Sequence, residues 1–138
     1  MSFLLDTNVV SEWTKPHPNP GLIAWLEEID EDRVFLSVVT LTELRYGIER
    51  LAAGKKRRGL EDWVQNELPL RFEARILSID APVADACGRL AAQRESQGRP
   101  IDAMDTYIAA TAEVHHLTLV TRNDSDFEGT VSCLNPWS

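Results

Sequence analysis

Lysine occurs only at Lys15, Lys55 and Lys56, and cysteine only at Cys87 and Cys133. The two cysteines lie far apart with no C-x-x-C, so neither a zinc site nor a disulfide framework is expected, and a reducing cytoplasm is the default setting. No apolar run approaches the ~20 residues that a membrane span needs. The segment Met1-Ser2-Phe3-Leu4-Leu5-Asp6 has no basic stretch of the secretory kind. Glycine is sparse and makes no G-x-G-x-x-G and no G-x-x-x-x-G-K-[ST], which removes the nucleotide cradles. A G-x-S-x-G elbow is also missing. Positive charge is outnumbered, 14 basic residues against 22 acidic ones, for a net charge of −8. A sequence-independent nucleic-acid binder should carry a basic field, so that class is disfavoured. An enzyme acting on nucleic acid through carboxylate-held metal ions is not.

What is present is an ordinary globular mix over 138 residues, the length of one domain spanning 1–138. Short apolar runs alternate with helical patterns. Phe3–Leu5, Val34–Val39, Ile76–Ile79 and Leu117–Thr121 read as strands, with Val131–Leu134 a short fifth. Helices are expected from Gly21, over Thr40 to about Ala53 with Gly54 as the stop, and over Gly59 to about Leu68 ended by Pro69. Two more are expected over Ala81 to about Gln97 and Ala103 to about His115. Alternation of this kind predicts an α/β fold, a mainly parallel sheet of four or five strands covered on both faces. Binding sites in such sheets lie beyond the carboxyl ends of the strands.

Acids recur there. Asp6-Thr7-Asn8 follows the first strand, Thr40-Leu41-Thr42-Glu43 the second, and Arg122-Asn123-Asp124-Ser125-Asp126 the fourth, while Asp102 and Asp105 open the helix that feeds the fourth. Each has a plain structural reading as well. Thr40-x-x-Glu43 has the form of a capping box, Asp102 with Asp105 that of an N-cap and its N3 acid, and Asp124 and Asp126 are ordinary turn residues. Carboxylates gathered at one sheet edge are costly unless one is protonated or a cation joins them, and oxygen donors suit Mg²⁺ or Mn²⁺. Lys55-Lys56-Arg57-Arg58 reads first as a solvated basic run, and only together with Arg45 and Arg50 would it make a local basic rim for a phosphate-bearing ligand. His115 and His116 fall at a helix end, where a dipole role is expected. A haloacid-dehalogenase-like phosphatase needs a second Asp where Asn8 stands and a late lysine. A phospho-accepting receiver needs paired early acids and the same late lysine. Neither fits.

The ordered set Leu4-Leu5-Asp6-Thr7-Asn8, Thr42-Glu43-Leu44, Asp105-Thr106-Tyr107-Ile108-Ala109-Ala110-Thr111-Ala112, Thr121-Arg122-Asn123 with Asp126-Phe127, and Asn135-Pro136-Trp137 resembles the PIN-domain ribonucleases, most of all the VapC/FitB-type toxins of bacterial toxin–antitoxin pairs. The resemblance implies a three-layer α/β/α domain and a Mg²⁺-dependent endoribonuclease (Mn²⁺ being the alternative ion). It also implies a homodimer and a DNA-binding antitoxin as partner. Asp6, Asp105 and Glu43 would be the metal-holding acids, with Thr7, Asn8 and Thr121 bracing them. Asn123 stands where some members carry an Asp. The fourth acid is therefore Asp126 or Asp124, with Asp126 favoured because Phe127 should anchor it. The alternative is an inactive PIN-fold binding module that acts only through its partner.

Overall fold

A computed structural model describes residues 1–138. Five strands, β1 (Phe3–Leu5), β2 (Val34–Ser37), β3 (Ile76–Leu77), β4 (Thr118–Val120) and β5 (Cys133–Leu134), form one sheet in the order β3-β2-β1-β4-β5. Every pairing is parallel, as the alternating pattern predicts. The central strand β1 is registered by Leu4 opposite Phe35 on one side and Leu119 on the other.

Strands with helices on both faces lack a polar side, which is why they read as unbroken apolar runs. Leu4 and Leu119 enter one core, with Val83, Leu90 and Ile108 of helices α6 (Ala81–Ser96) and α7 (Ala103–Val114). Phe3, Leu5 and Val120 enter the other, with Val9 and Val10 of α1 (Thr7–Trp13) and Leu22 of α2 (Pro20–Glu28). Trp13, Trp25, Trp63 and Trp137 all pack against this second core. Trp13 meets Trp63 and Phe72 edge-on, with ring centroids 6.2 and 6.4 Å away.

Several boundaries differ from the sequence reading, each for a local reason. The second strand ends at Ser37, whose hydroxyl accepts the Val39 N–H at 3.0 Å and caps helix α3 (Val38–Glu49). Thr40 is therefore inside the helix, and the Thr40–Glu43 capping box does not form. Helix α3 also stops at Glu49 instead of Ala53, and Arg57 reaches back to the Leu51 carbonyl at 3.1 Å. Lys55–Arg58 is not a link between helices but the first turn of α4 (Lys55–Asp62). Pro69 does not end this helix. A π turn over Trp63–Glu67 leads into α5 (Leu68–Arg71), placing a widened segment just before the residue that has no N–H to give. Helix α1 is a further element, capped by Asp6.

The end of α7 is a Schellman motif. Leu117 N–H donates to the Ala112 carbonyl at 2.9 Å and His116 N–H to the Glu113 carbonyl at 3.3 Å, with His116 at φ 55°. The histidine pair thus closes a helix by backbone geometry.

Candidate active site

Asp6 leaves β1 at the carboxyl edge of the sheet and is only 5% exposed. Its carboxylate accepts the Thr7 N–H at 2.7 Å, which makes it the cap of α1, and the Thr121 hydroxyl at 2.8 Å from beyond β4. Asn8 adds a weaker bond to the same carboxylate at 3.4 Å. A cap and a site residue are therefore one side chain: both Asp6 oxygens are fixed by neighbours from two strand ends.

Glu43 approaches from α3. The Thr7 hydroxyl donates to it at 2.6 Å, and the Thr40 hydroxyl lies 3.1 Å from that of Thr7. Asp105 is the third residue of α7; its N–H bonds the cap residue Asp102 at 2.9 Å, and its carboxyl lies at the cleft beside the Asp102 side chain.

Asp6, Glu43 and Asp105 line one open cleft of about 370 Å³, together with Lys15, Arg122 and Trp137. The electrostatics follow from the crowding. Burial first, then the charges of Asp102, Asp6 and Glu43, push the Asp105 carboxyl up to about 7. Asp6 is raised as well, chiefly by burial and also by Glu43 and Asp102, against the lowering effect of its Thr121 and Thr7 hydrogen bonds. No three of these side chains close into a ready-made cage. The donor set still fits a hard divalent ion: it is all oxygen, it carries excess negative charge, and Mg²⁺ keeps much of its own water.

The other expected residues lie apart. Asp126 faces a neighbouring pocket shared with Asp105, Asp102, Arg94 and Arg99, not the cleft itself. Asp124 accepts the Asn135 amide at 3.2 Å and lines neither space. The expected basic rim is not at the cleft. Arg45 pairs with Glu49 at 2.9 Å, Arg57 pairs with Glu49 and Glu61, and Lys55 and Lys56 line an adjoining groove that shares Ser11, Lys15 and Glu43 with the cleft. The cations that do line the cleft, Lys15 and Arg122, were missed by reasoning on charge runs, because each stands alone in sequence. Arg122 did have a signal, its place immediately after a strand-end threonine.

An all-parallel sheet that gathers acids from β1, α3 and α7 above its carboxyl edge defines an α/β protein with an acid-lined cleft. Residues 3–131 match the PIN domain, and the chain belongs to that family. It is 42% identical over 135 residues to Toxin FitB of Neisseria gonorrhoeae, covering 97% of both chains. It is 35% identical to VapC ribonuclease Y4jK of Sinorhizobium fredii, covering 97% of this chain and 96% of that one. Among solved structures, FitAB bound to an IR36 DNA fragment superposes with a TM-score of 0.92 at 39% identity, over 99% of this chain and 96% of the other.

Proposed function

We propose that this chain is the toxin of a type II toxin–antitoxin pair, an endoribonuclease that hydrolyses RNA phosphodiester bonds with Mg²⁺ (or Mn²⁺) in the acid-lined cleft. The observation that carries the reading is the convergence of Asp6, Glu43 and Asp105 from three elements on one cleft, with Asp105 raised by burial first and then by the charges of Asp102, Asp6 and Glu43. Caps and turn acids have no reason to converge. The likeness to a VapC ribonuclease over nearly the whole chain supports the same activity.

Asp6, Glu43 and Asp105 would hold the ion, directly or through water. When bound, it would polarise a phosphoryl oxygen and acidify a water to supply the nucleophile. The chain's own residues prepare that site. Thr121 and the Thr7 N–H fix the Asp6 carboxylate, and Thr7 fixes Glu43, so that neither has to reorganise as charge develops. Asp126 is the fourth acid in this reading. It shares a pocket with Asp105, whereas the Asp124 carboxylate is engaged by Asn135.

The partner would be an antitoxin, as the FitAB complex suggests. A groove of about 950 Å³ between α1, α3 and α4, walled by Leu44, Ile48, Leu60 and Trp63, is the surface suited to it. A homodimer and a cytoplasmic setting complete the reading; no helix is long and apolar enough to cross a membrane.

The test is cleavage of single-stranded RNA with Mg²⁺ and with EDTA, using the wild type and Glu43→Gln. The expected result is cleavage only with metal, and a variant of normal stability with activity down ~10²-fold or more. A chain that binds its antitoxin but leaves RNA intact with Mg²⁺ would instead be the inactive binding module.

A further inference from the structure

The cleft that should receive a polyanion carries four acids, Asp6, Glu12, Glu43 and Asp105, against two cations, on a chain of net charge −8. Metal ions answer for the reacting oxygens, but something must also hold the rest of the phosphate backbone against this field. Two cations line the cleft. Lys15 is occupied: its ammonium pairs at 2.9 Å with Glu12, which also accepts the Asn19 N–H at 2.8 Å. Arg122 forms none of the molecule's ion pairs, although acids surround it.

An unpaired arginine on a surface is usually mobile, but Arg122 is held at three points. Its N–H donates to the Asn8 side chain at 3.3 Å, and its carbonyl accepts the Asn135 amide at 3.1 Å. Its guanidinium lies 6.0 Å from the centroid of the Trp137 ring. Trp137 is itself fixed. Its N–H bonds Asn135 at 3.0 Å, and the next residue, Ser138, donates its N–H to Asn19 at 3.1 Å. Asn8, which anchors the Arg122 backbone, also bonds Asp6. The acid and the arginine are therefore placed by the same side chain.

On the nuclease reading above, we propose that Arg122 is the phosphate-binding residue of the cleft, engaging a phosphate of single-stranded RNA next to the reacting one, with Trp137 as its positioning residue. The guanidinium offers a planar fork of donors suited to a phosphate, and its charge offsets the repulsion between the acidic chain and RNA. Glu12 feels the Arg122 charge, but no carboxylate forms a direct ion pair with it, and the RNA phosphate supplies that partner.

The experiment compares wild type, Arg122→Met and Arg122→Lys in Mg²⁺, reading kcat/KM on a short single-stranded RNA against salt concentration. Mn²⁺ affinity is measured calorimetrically without RNA. Arg122→Met is expected to lose about 10- to 100-fold in kcat/KM, the scale of one charge-assisted hydrogen bond. Its logarithmic salt dependence should be shallower by about 0.7, the share of a single-strand phosphate contact. Arg122→Lys should restore the slope while recovering only part of the rate, and Mn²⁺ affinity should not fall in either variant. A lower rate with an unchanged salt slope, or an unchanged rate, overturns the contact. A wild type that does not cleave RNA at all overturns the nuclease reading, and the contact with it.

Discussion

Asp6 shows how one residue can satisfy two readings at once. Its side chain caps α1, yet it is also the most buried acid of the cleft. Motif logic treats cap and ligand as alternatives, but at a strand end that turns directly into a helix they coincide. Asp105 behaves differently, since Asp102 does the capping and the Asp105 carboxyl answers first to burial and then to its neighbours' charge. Its carboxyl titrates near 7 in the metal-free fold against an ordinary 3.8. The folded state therefore holds this proton more tightly than the unfolded chain does. Stability is fully present below the ordinary value and falls as pH rises toward 7. Thermal unfolding in EDTA should show a Tm that declines from pH 5 to pH 8. Asp105→Asn should flatten that decline and stabilise the metal-free protein at pH 8 by on the order of 1 kcal/mol. The two candidates for the fourth acid separate by a Mg²⁺ titration of cleavage rate: Asp126→Asn should weaken Mg²⁺ binding or turnover ~10-fold or more, and Asp124→Asn much less.

Helix ends carry most of the difference between the sequence reading and the structure. Ser37, not Thr40, starts α3, because a serine at the last strand position can turn its hydroxyl onto the second N–H of the helix. That one shift releases Glu43 from a capping role and lets Thr7 hold it. At the other end of α7, His116 occupies a left-handed position that glycine fills at lower cost. His116→Gly should raise stability by about 0.5–1 kcal/mol with activity unchanged, measured by urea unfolding. Gly21 presents the opposite case. A Cβ there would lie 2.5 Å from the Pro136 carbonyl oxygen and 2.7 Å from the Ser138 side chain. Gly21→Ala should cost about 1–3 kcal/mol and should also lower RNA cleavage, because the displaced segment carries Trp137. The strand pattern was legible from alternation, and position near the strand ends brought out Asp6, Glu43 and Asp105 among several acids; the resemblance to PIN-domain ribonucleases is what singled those three out. The groups bracing them were partly legible too, since Thr7 and Asn8 follow Asp6 directly and Thr121 ends the fourth strand. The π turn, the early end of α3 and the pairing of Arg57 with Glu49 were not. They depend on side chains meeting across a turn, and no single-residue periodicity records that.

At the scale of the whole molecule, the parallel sheet determines what can be near what. Because β1 lies between β2 and β4, their carboxyl ends deliver Asp6, the start of α3 and Thr121 to one edge. The sheet order thus explains why residues more than a hundred positions apart share hydrogen bonds. The apolar groove runs into the same region: Ser11, Lys15 and Glu43 belong to both its wall and the cleft's. In an evolving population this shared wall constrains escape. If the groove seats the antitoxin and Glu43 serves cleavage, as proposed above, a toxin variant that evades its antitoxin by changing Glu43 would disarm itself, so lineages should retain potency only when the change falls at the groove's far end, near Leu51, Lys56 or Val64. Selecting growth-arresting clones from a randomised groove library, in cells that express the antitoxin, should return substitutions at those distal positions and leave Glu43 untouched.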